Sequence, residues 1–421
     1  MTEPVKKPDK TTYDDVVSRH PEFAGVISRK NWEFIGHSDK RTVAGLSKVW
    51  LRNVEENVKN GLWGNHGPAR KDCLGLGKNK AVIGVGAGPS LKKNIQVLKR
   101  VSDMDGVKDF DKRDFIIMAS NHMFKPLLNM GIIPDFVVVA DASDVVMDQL
   151  CKGVPDNGKN CILLATPQAS PRVLKRWAKQ GRPIRFYLTQ SEGLPDAFYK
   201  ATKEDPSQYV ILQGGNVLNS AWSISMMVFK STVFMALGND LSFPLRHELE
   251  ERRKLYYADG DYSSNAPVTG TGRDEANSTK KWMGFNLRRS VLWTPGNKDR
   301  YVIEVEEVQT THTLWVYKTW LEANVHAGIS ARYAFHYFNC TEGGIAGVMC
   351  KDDSDEGIYN PDNWFMLDDV CPRYHTRMFT DAVEEFLAAK EAMKWGPAAV
   401  MAKRAGILID APVAGGLVQA V

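Results

Sequence analysis

The sequence lacks close-set cysteines. Its six, Cys73, Cys151, Cys161, Cys340, Cys350 and Cys371, lie far apart, and no C-x-x-C occurs. That removes the signatures of a zinc ribbon and of a small disulfide-stapled fold, and it fits a reducing compartment. No uninterrupted run reaches the roughly 18 apolar residues of a bilayer-spanning helix. The opening stretch MTEPVKKPDKTTYDD is polar and holds no apolar signal core. We therefore expect a cytoplasmic protein with no membrane span. An excess of one charge is missing too: 54 basic residues face 50 acidic ones, a net charge of +4. So small an excess gives no case for nucleic acid as a partner. There is no internal repeat. What remains is an ordinary globular composition, 43% hydrophobic and 25% charged over 421 residues, enough for one large domain with additions or for two to three domains.

The most informative stretch is Ala81–Leu91, AVIGVGAGPSL. A short apolar run ends in Gly86-Ala87-Gly88-Pro89-Ser90, and a helix-like pattern with Leu91, Ile95 and Leu98 follows. Glycine lets a backbone turn tightly and approach a ligand closely. Pro89 and Ser90 suit a helix start, and a helix start favours phosphate. A plain strand-to-helix turn without ligand accounts for a lone G-x-G equally well. The full dinucleotide fingerprint would need a third glycine where Leu91 stands. The stretch reads as a phosphate or nucleotide pocket and not specifically as an NAD site. On that reading Gly88→Val would weaken nucleotide binding much more than folding.

The rest of the chain is organised around this stretch. Residues 1–79 read as a polar tail and an amphipathic helical segment, with a glycine-rich loop over Gly61–Lys80. Residues 80–245 alternate apolar runs with helix-like segments. The candidate strands are Ala81–Val85, Phe115–Ala119, Phe136–Ala140, Cys161–Ala165, Ile184–Leu188, Tyr209–Leu212 and Thr232–Ala236. Continuous apolar strands separated by helices predict a doubly wound, mostly parallel Rossmann-like α/β sheet, whose ligands sit beyond the carboxyl ends of the strands. Residues 246–310 break the alternation and are expected to form an insertion or lid loop. Residues 311–421 read as a helical region that completes the core, with one more strand at Arg332–Phe338, a helix over Thr380–Arg404 and a small apolar tail over Ala405–Val421.

Five predicted strands end in small polar or acidic residues: Ser120-Asn121-His122, Asp141 to Asp144, Thr166-Pro167, Gln213 to Asn216 with Ser220 one turn on, and Gly238-Asn239-Asp240. Each group alone has an ordinary explanation as a cap or turn. Their convergence on the sheet edge that carries Gly86 and Gly88 points to a site. Asn side chains there can read a base or ribose. An Asp can orient a sugar hydroxyl or hold a divalent metal beside phosphates. His247 is a candidate general base, although a surface histidine in HELEERRK explains it as well. His312, His326 and His336 read as packing or capping residues.

Taken together, GVGAGPSL (Gly84–Leu91), GIIPDFVVVADAS (Gly131–Ser143), GGNVLNSAW (Gly214–Trp222) and GNDLSF (Gly238–Phe243) resemble the central domain of motility-associated factor (Maf) glycosyltransferases. The same domain family includes archaeal 6-hydroxymethylpterin diphosphokinase (MptE-like) proteins. WLRNVEENVKNGLWG (Trp50–Gly64) looks like the helix that precedes this domain, and FNCTEGGIAG (Phe338–Gly347) is a further matching piece. The likeness covers roughly Trp50–Phe243 and implies a sialyltransferase-like fold. It implies that Gly86, Gly88, Pro89 and Ser90 meet the phosphate, and that Asn121, Asp141 and Asn216 meet the nucleoside or sugar. Gly214, Gly215 and Ser220 would form a second wall, with Thr166 among the nucleotide-binding candidates. Asp240 and His247 would lie nearest the reaction, Glu342 in the TEGG segment would be the second carboxylate candidate, and Asp141 counts with these three as a catalytic candidate.

The preferred expectation is transfer of a sialic-acid-like (nonulosonic) sugar from a CMP-linked donor to a hydroxyl on a protein or glycan acceptor, with no cofactor required. The alternative is an ATP- and Mg²⁺-dependent diphosphokinase of the pterin type, with Asp141 and Asp240 on the metal. A third possibility is a nucleotide-binding module without turnover. The chain is shorter than Maf proteins, which leaves the acceptor open.

Overall fold

A computed structural model describes residues 14, 18, 29–191, 193–244, 283–290, 302–310, 312–326, 335–351 and 363–394. The expected N-terminal tail, His247, most of the 246–310 insertion and the Ala405–Val421 tail lie outside the described residues.

The apolar runs form strands β1 (Ala81–Val85), β2 (Phe115–Ser120), β3 (Phe136–Val139), β4 (Ile162–Ala165) and β5 (Ile184–Phe186). After them come β6 (Leu188–Thr189), β7 (Val210–Ile211), β8 (Val233–Leu237), β9 (Phe243–Pro244), β10 (Met283–Ser290) and β11 (Val302–Thr310). The last four are β12 (His336–Asn339), β13 (Val348–Cys350), β14 (Trp364–Met366) and β15 (Tyr374–Thr376). Eight of them build one sheet in the order β15-β12-β8-β1-β2-β3-β4-β5. Every pairing in it is parallel. All residues of β1 and β8 are buried, which is why these strands read as unbroken apolar runs and do not alternate.

The helices are α1 (Arg29–Lys59), α2 (Leu91–Gly106), α3 (Phe124–Asn129), α4 (Pro171–Lys179), α5 (Leu194–Thr202), α6 (Val217–Met227), α7 (His312–His326) and α8 (Phe379–Lys394). On one face of the sheet, Leu98 and Val101 of α2 and Phe379 and Phe386 of α8 pack on Ile83, Ile117 and Met235. On the other face, Leu218, Trp222 and Ile224 of α6 cover Val82, Ile116 and Phe234. Leu321 and Val325 of α7 add to that layer. The end of α1 packs Trp50 and Val54 over the β3–β5 side, against a cluster with Leu163, Trp177 and Phe186. This is a doubly wound α/β fold.

From β1 the chain winds outward to β5, then returns to place β8 on the other side of β1. The direction of winding reverses between β1 and β8, and that is the topological switch point. No helix among the described residues is long and apolar enough to cross a membrane.

Several expectations need correction. The run Tyr209–Leu212 supplies β7, but β7 pairs with β6 in a separate two-stranded ladder. Leu188 belongs to that ladder as well. The expected loop over Gly61–Lys80 contains two short helices, Leu62–His66 and Ala69–Asp72, seated by buried Leu62, Trp63 and Ala69. Part of the expected 246–310 loop is regular: β10 and β11 pair antiparallel, and β11 also pairs with β9. Within β11 only Ile303-Glu304-Val305-Glu306 alternates, a stretch too short to stand out after the polar residues before it. β15 extends the main sheet beyond β12; with three residues it is too short to show in the sequence.

Candidate functional site

At the switch point the turn after β1 packs directly on the turn after β8. The Gly86 N–H donates to the Leu237 carbonyl at 2.8 Å and the Gly88 N–H to the Gly238 carbonyl at 2.9 Å. The Ser90 N–H donates to Asp240 Oδ1 at 3.2 Å and the Ser90 hydroxyl to Asp240 Oδ2 at 2.7 Å. A Cβ at Gly88 would stand 1.9 Å from Asp240 Oδ2. Glycine is needed here so that a carboxylate from β8 can reach the start of α2. An anion of the protein itself therefore occupies the helix start where a phosphate was expected. Asp240 is buried, and burial pushes its carboxyl up to about 6 against the pull of the Ser90 bonds and of Lys93. The Asp240 carbonyl accepts the Ile345 N–H at 2.9 Å, which brings the TEGG segment onto the same knot.

Glu342 has a similar part. Its Oε1 accepts the Phe379 N–H at 3.0 Å, capping α8, and its carbonyl accepts from Lys93 Nζ at 2.5 Å. Burial raises its carboxyl above the ordinary value, opposed by the Phe379 N–H, Lys93 and Asn94.

The other half of the carboxyl edge, over β2–β4, is built differently. Asn121 Nδ2 donates to Gln149 Oε1 at 2.6 Å, and Gln149 Nε2 meets His122 Nδ1 at 3.0 Å. Burial holds the His122 imidazole down to about 4, hence neutral. Asp141 is exposed. One of its oxygens, Oδ1, accepts the Ser143 N–H at 2.8 Å and hydroxyl at 2.7 Å. Thr166 is fully buried beside the Val139 carbonyl, which accepts both the Thr166 N–H and the Tyr187 hydroxyl at 3.3 Å.

The start of α6 lies along the same edge, because α6 runs antiparallel to the strands it connects. Asn216 caps it, accepting the Asn219 N–H at 2.7 Å. Asn219 Nδ2 donates to the carbonyls of Gly214 at 3.0 Å and Tyr317 at 3.1 Å. Gly214 and Gly215 leave room for α7: a Cβ on either would stand 2.1 Å from the rings of Trp320 and Tyr317 respectively. Ser220 turns back to the Asn216 carbonyl at 3.3 Å. Three buried atoms on this side, Ser120 Oγ, Thr166 Oγ1 and Asn219 Oδ1, have no hydrogen-bond partner. Buried polar groups are nearly always paired, so a concentration of unpaired ones marks where a ligand or water completes the structure.

The candidate residues thus fall into two sets. Gly86, Gly88, Ser90, Asp240 and Glu342 form a self-bonded knot. Asn121, Asp141, Thr166, Gly214, Gly215, Asn216 and Ser220 line the edge beside it, and Pro89 is half-exposed between the two. Asp141 follows β3 and Asp240 follows β8, and those strands are three spacings apart, about 14 Å at the usual strand separation. With metal–oxygen bonds of about 2 Å, one Mg²⁺ cannot be shared between them. Among the described residues no group of three His, Cys, Asp or Glu side chains is placed to hold a metal.

Sequence reasoning missed Asn53 and Asn57 on α1, both buried against the loops after β3 and β4. The available signal was two asparagines four residues apart on a helix face otherwise occupied by Trp50, Val54 and Val58. A cavity of about 610 Å³ opens at the opposite, amino-terminal edge, walled by Val101, Phe110, Arg113, Phe115, Asp135 and Cys161. Its charged groups are already matched: Arg113 pairs with Asp135 at 2.5 Å, and Asp135 accepts the Ile117 N–H at 2.9 Å.

One comparison agrees, over residues 50–245, with the family read from the motifs. No curated protein matches the chain. Among solved structures, a MAf glycosyltransferase from Magnetospirillum magneticum AMB-1 is similar at a TM-score of 0.43 and 16% identity, over 82% of this chain and 42% of that one. The chain therefore spans less than half the length of that neighbour. Residues 50–245, which carry β1 to β8 and both glycine turns, match the family of 6-hydroxymethylpterin diphosphokinase MptE-like proteins.

Proposed function

We propose that the chain is a transferase whose nucleotide-linked substrate lies along the carboxyl edge over β2–β4, between Pro89, Asn121, Asp141 and the start of α6. The observation that carries this reading is the set of unpaired buried oxygens at Ser120, Thr166 and Asn219, beneath a rim of half-exposed Asn121 and Asn216 and exposed Asp141. Neutral amides and hydroxyls suit a base and a ribose. The α6 helix start favours the phosphate. The reaction we favour is glycosyl transfer from a CMP-linked, sialic-acid-like donor. An acceptor oxygen attacks the anomeric carbon, the bond from that carbon to the phosphate oxygen breaks, and the phosphate leaves with the electron pair while the acceptor proton passes to a base. Asp141 Oδ2 is not used by the Asp141–Ser143 turn and is placed to accept from a hydroxyl of the substrate. Asp240 and Glu342, held by Ser90 and by the Phe379 N–H, serve this reading by fixing the edge.

The second reading, a diphosphokinase, is favoured by the family match over residues 50–245. Mg²⁺ would then rest on Asp141 and the substrate phosphates, without Asp240. Calorimetry with CMP and with ATP, each with Mg²⁺ or with EDTA, separates the two. For glycosyl transfer, Asp141→Asn should weaken CMP about ten- to a hundredfold, the worth of one hydrogen bond to a charged group, equally with Mg²⁺ and with EDTA. A loss confined to ATP with Mg²⁺ favours the diphosphokinase, and unchanged affinities remove Asp141 from the site.

A further inference from the structure

The α1 helix reaches the carboxyl edge through two asparagines one turn apart. Asn53 and Asn57 are 2% and 1% exposed. Asn53 Nδ2 donates to the carbonyls of Ala142 at 2.9 Å and Gln168 at 3.0 Å. Asn57 Nδ2 donates to those of Pro167 at 2.7 Å and Ala169 at 2.9 Å. Three consecutive carbonyls of one loop, 167 to 169, therefore face the helix. A trans peptide plane points its N–H away from its C=O. The plane that offers the Gln168 carbonyl to Asn53 sends the Ala169 N–H to the Thr166 carbonyl at 3.0 Å. The plane that offers the Ala169 carbonyl to Asn57 sends the Ser170 N–H to the Asp141 carbonyl at 3.3 Å. Each of these planes is held on one side by an asparagine and on the other by a residue of the candidate site. Within this joint Asn57 Oδ1, Thr166 Oγ1 and Gln168 Oε1 are buried without a partner, so the loop is held in a form that does not satisfy its own polar atoms.

We propose that Asn53 and Asn57 are positioning residues of the carboxyl-edge site, which makes α1 part of that site: they fix the peptide planes that set the backbone of Asp141 and Thr166. The inference rests on the carboxyl-edge reading above. Asn57→Asp is nearly isosteric but, when ionised, has no proton to donate to the Pro167 and Ala169 carbonyls. A neutral aspartic acid regains one. Loss of such a buried hydrogen bond, passed on to the site, weakens binding by roughly ten- to a hundredfold. Titration of CMP and of ATP–Mg²⁺ into Asn57→Asp should show such a loss against wild type at about pH 8 and a partial recovery of the ratio at about pH 5.5. A role in stability alone would lower the melting temperature and leave that ratio flat. If wild type binds and the variant binds equally at both pH values, the positioning role is overturned while the site reading stands. If wild type binds neither nucleotide, the site reading falls and takes the inference with it. Should Asn57→Asp fail to fold, Asn53→Ala is read by hydrogen exchange. The Ala169 and Ser170 amides should then exchange faster relative to those of β1, and unchanged protection overturns the proposal.

Discussion

Asp240 shows how far a single residue can be read. The sequence places it at a strand end, and nothing local tells that its carboxylate lies against Ser90, 150 positions earlier. The same holds for Gly88, which reads as a place for phosphate and serves as a place for Asp240. On this packing, substitution at Gly88 strikes the fold first, contrary to the sequence expectation. The buried carboxyl has a measurable consequence. Its folded value is about 6 against an ordinary 3.8, so the neutral form is favoured in the folded state. That contribution is complete below about pH 4 and is lost as pH rises through 6, at roughly 3 kcal/mol by linkage. Asp240→Asn keeps an acceptor for the Ser90 N–H and has no charge to bury. We expect its stability relative to wild type to improve between about pH 4.5 and pH 7.5, as followed by urea unfolding. A constant difference between the two proteins would show that Asp240 does not titrate in that range.

Among the elements, the central strands were legible because burial on both faces leaves a continuous apolar run; β1 has the same limits in sequence and structure. What sequence could not supply was partnership. β7 has a strand's composition yet pairs outside the main sheet. α7 is recognisable as a helix, but the use of its polar residues is not. Lys318 and Glu322, one turn apart on α7 and each with a 3% exposed side chain, pair at 2.6 Å. Glu322 also accepts the Gly347 N–H at 2.6 Å, and Lys318 Nζ lies 4.9 Å from the Trp315 ring centroid. The pair pins the segment after β12 to α7. Glu322→Gln keeps an acceptor for Gly347 but leaves Lys318 without its counter-charge. We expect a loss of about 3–5 kcal/mol in urea unfolding, with the double variant Lys318→Met/Glu322→Gln more stable than the single one. A single variant as stable as wild type would show the charge to be solvated after all. The candidate site divides along the same line: the caps and turns at strand ends could be read locally, whereas the Asn57 contacts span 110 and 112 residues.

In the whole molecule, the strand order places β8 between β1 and β12, so the last strand that the 50–245 segment contributes to the main sheet is an interior one. His336–Asn339 lies alongside Val233–Ala236, and β15 lies beyond it. Cut at residue 245, the chain would keep its glycine turns and most of the carboxyl edge but carry a bare flank of five apolar residues, Val233–Leu237, with open backbone donors and acceptors. Such an edge is a template for adding strands from other chains. A 50–245 fragment should therefore self-associate in size-exclusion chromatography, and adding residues 335–394 in trans should shift it towards a one-to-one complex. A monodisperse monomeric fragment would mean that this flank is sealed without β12. The segment matched by the family is in this respect an unfinished sheet, and β12, which follows the insertion, acts as its built-in chaperone strand.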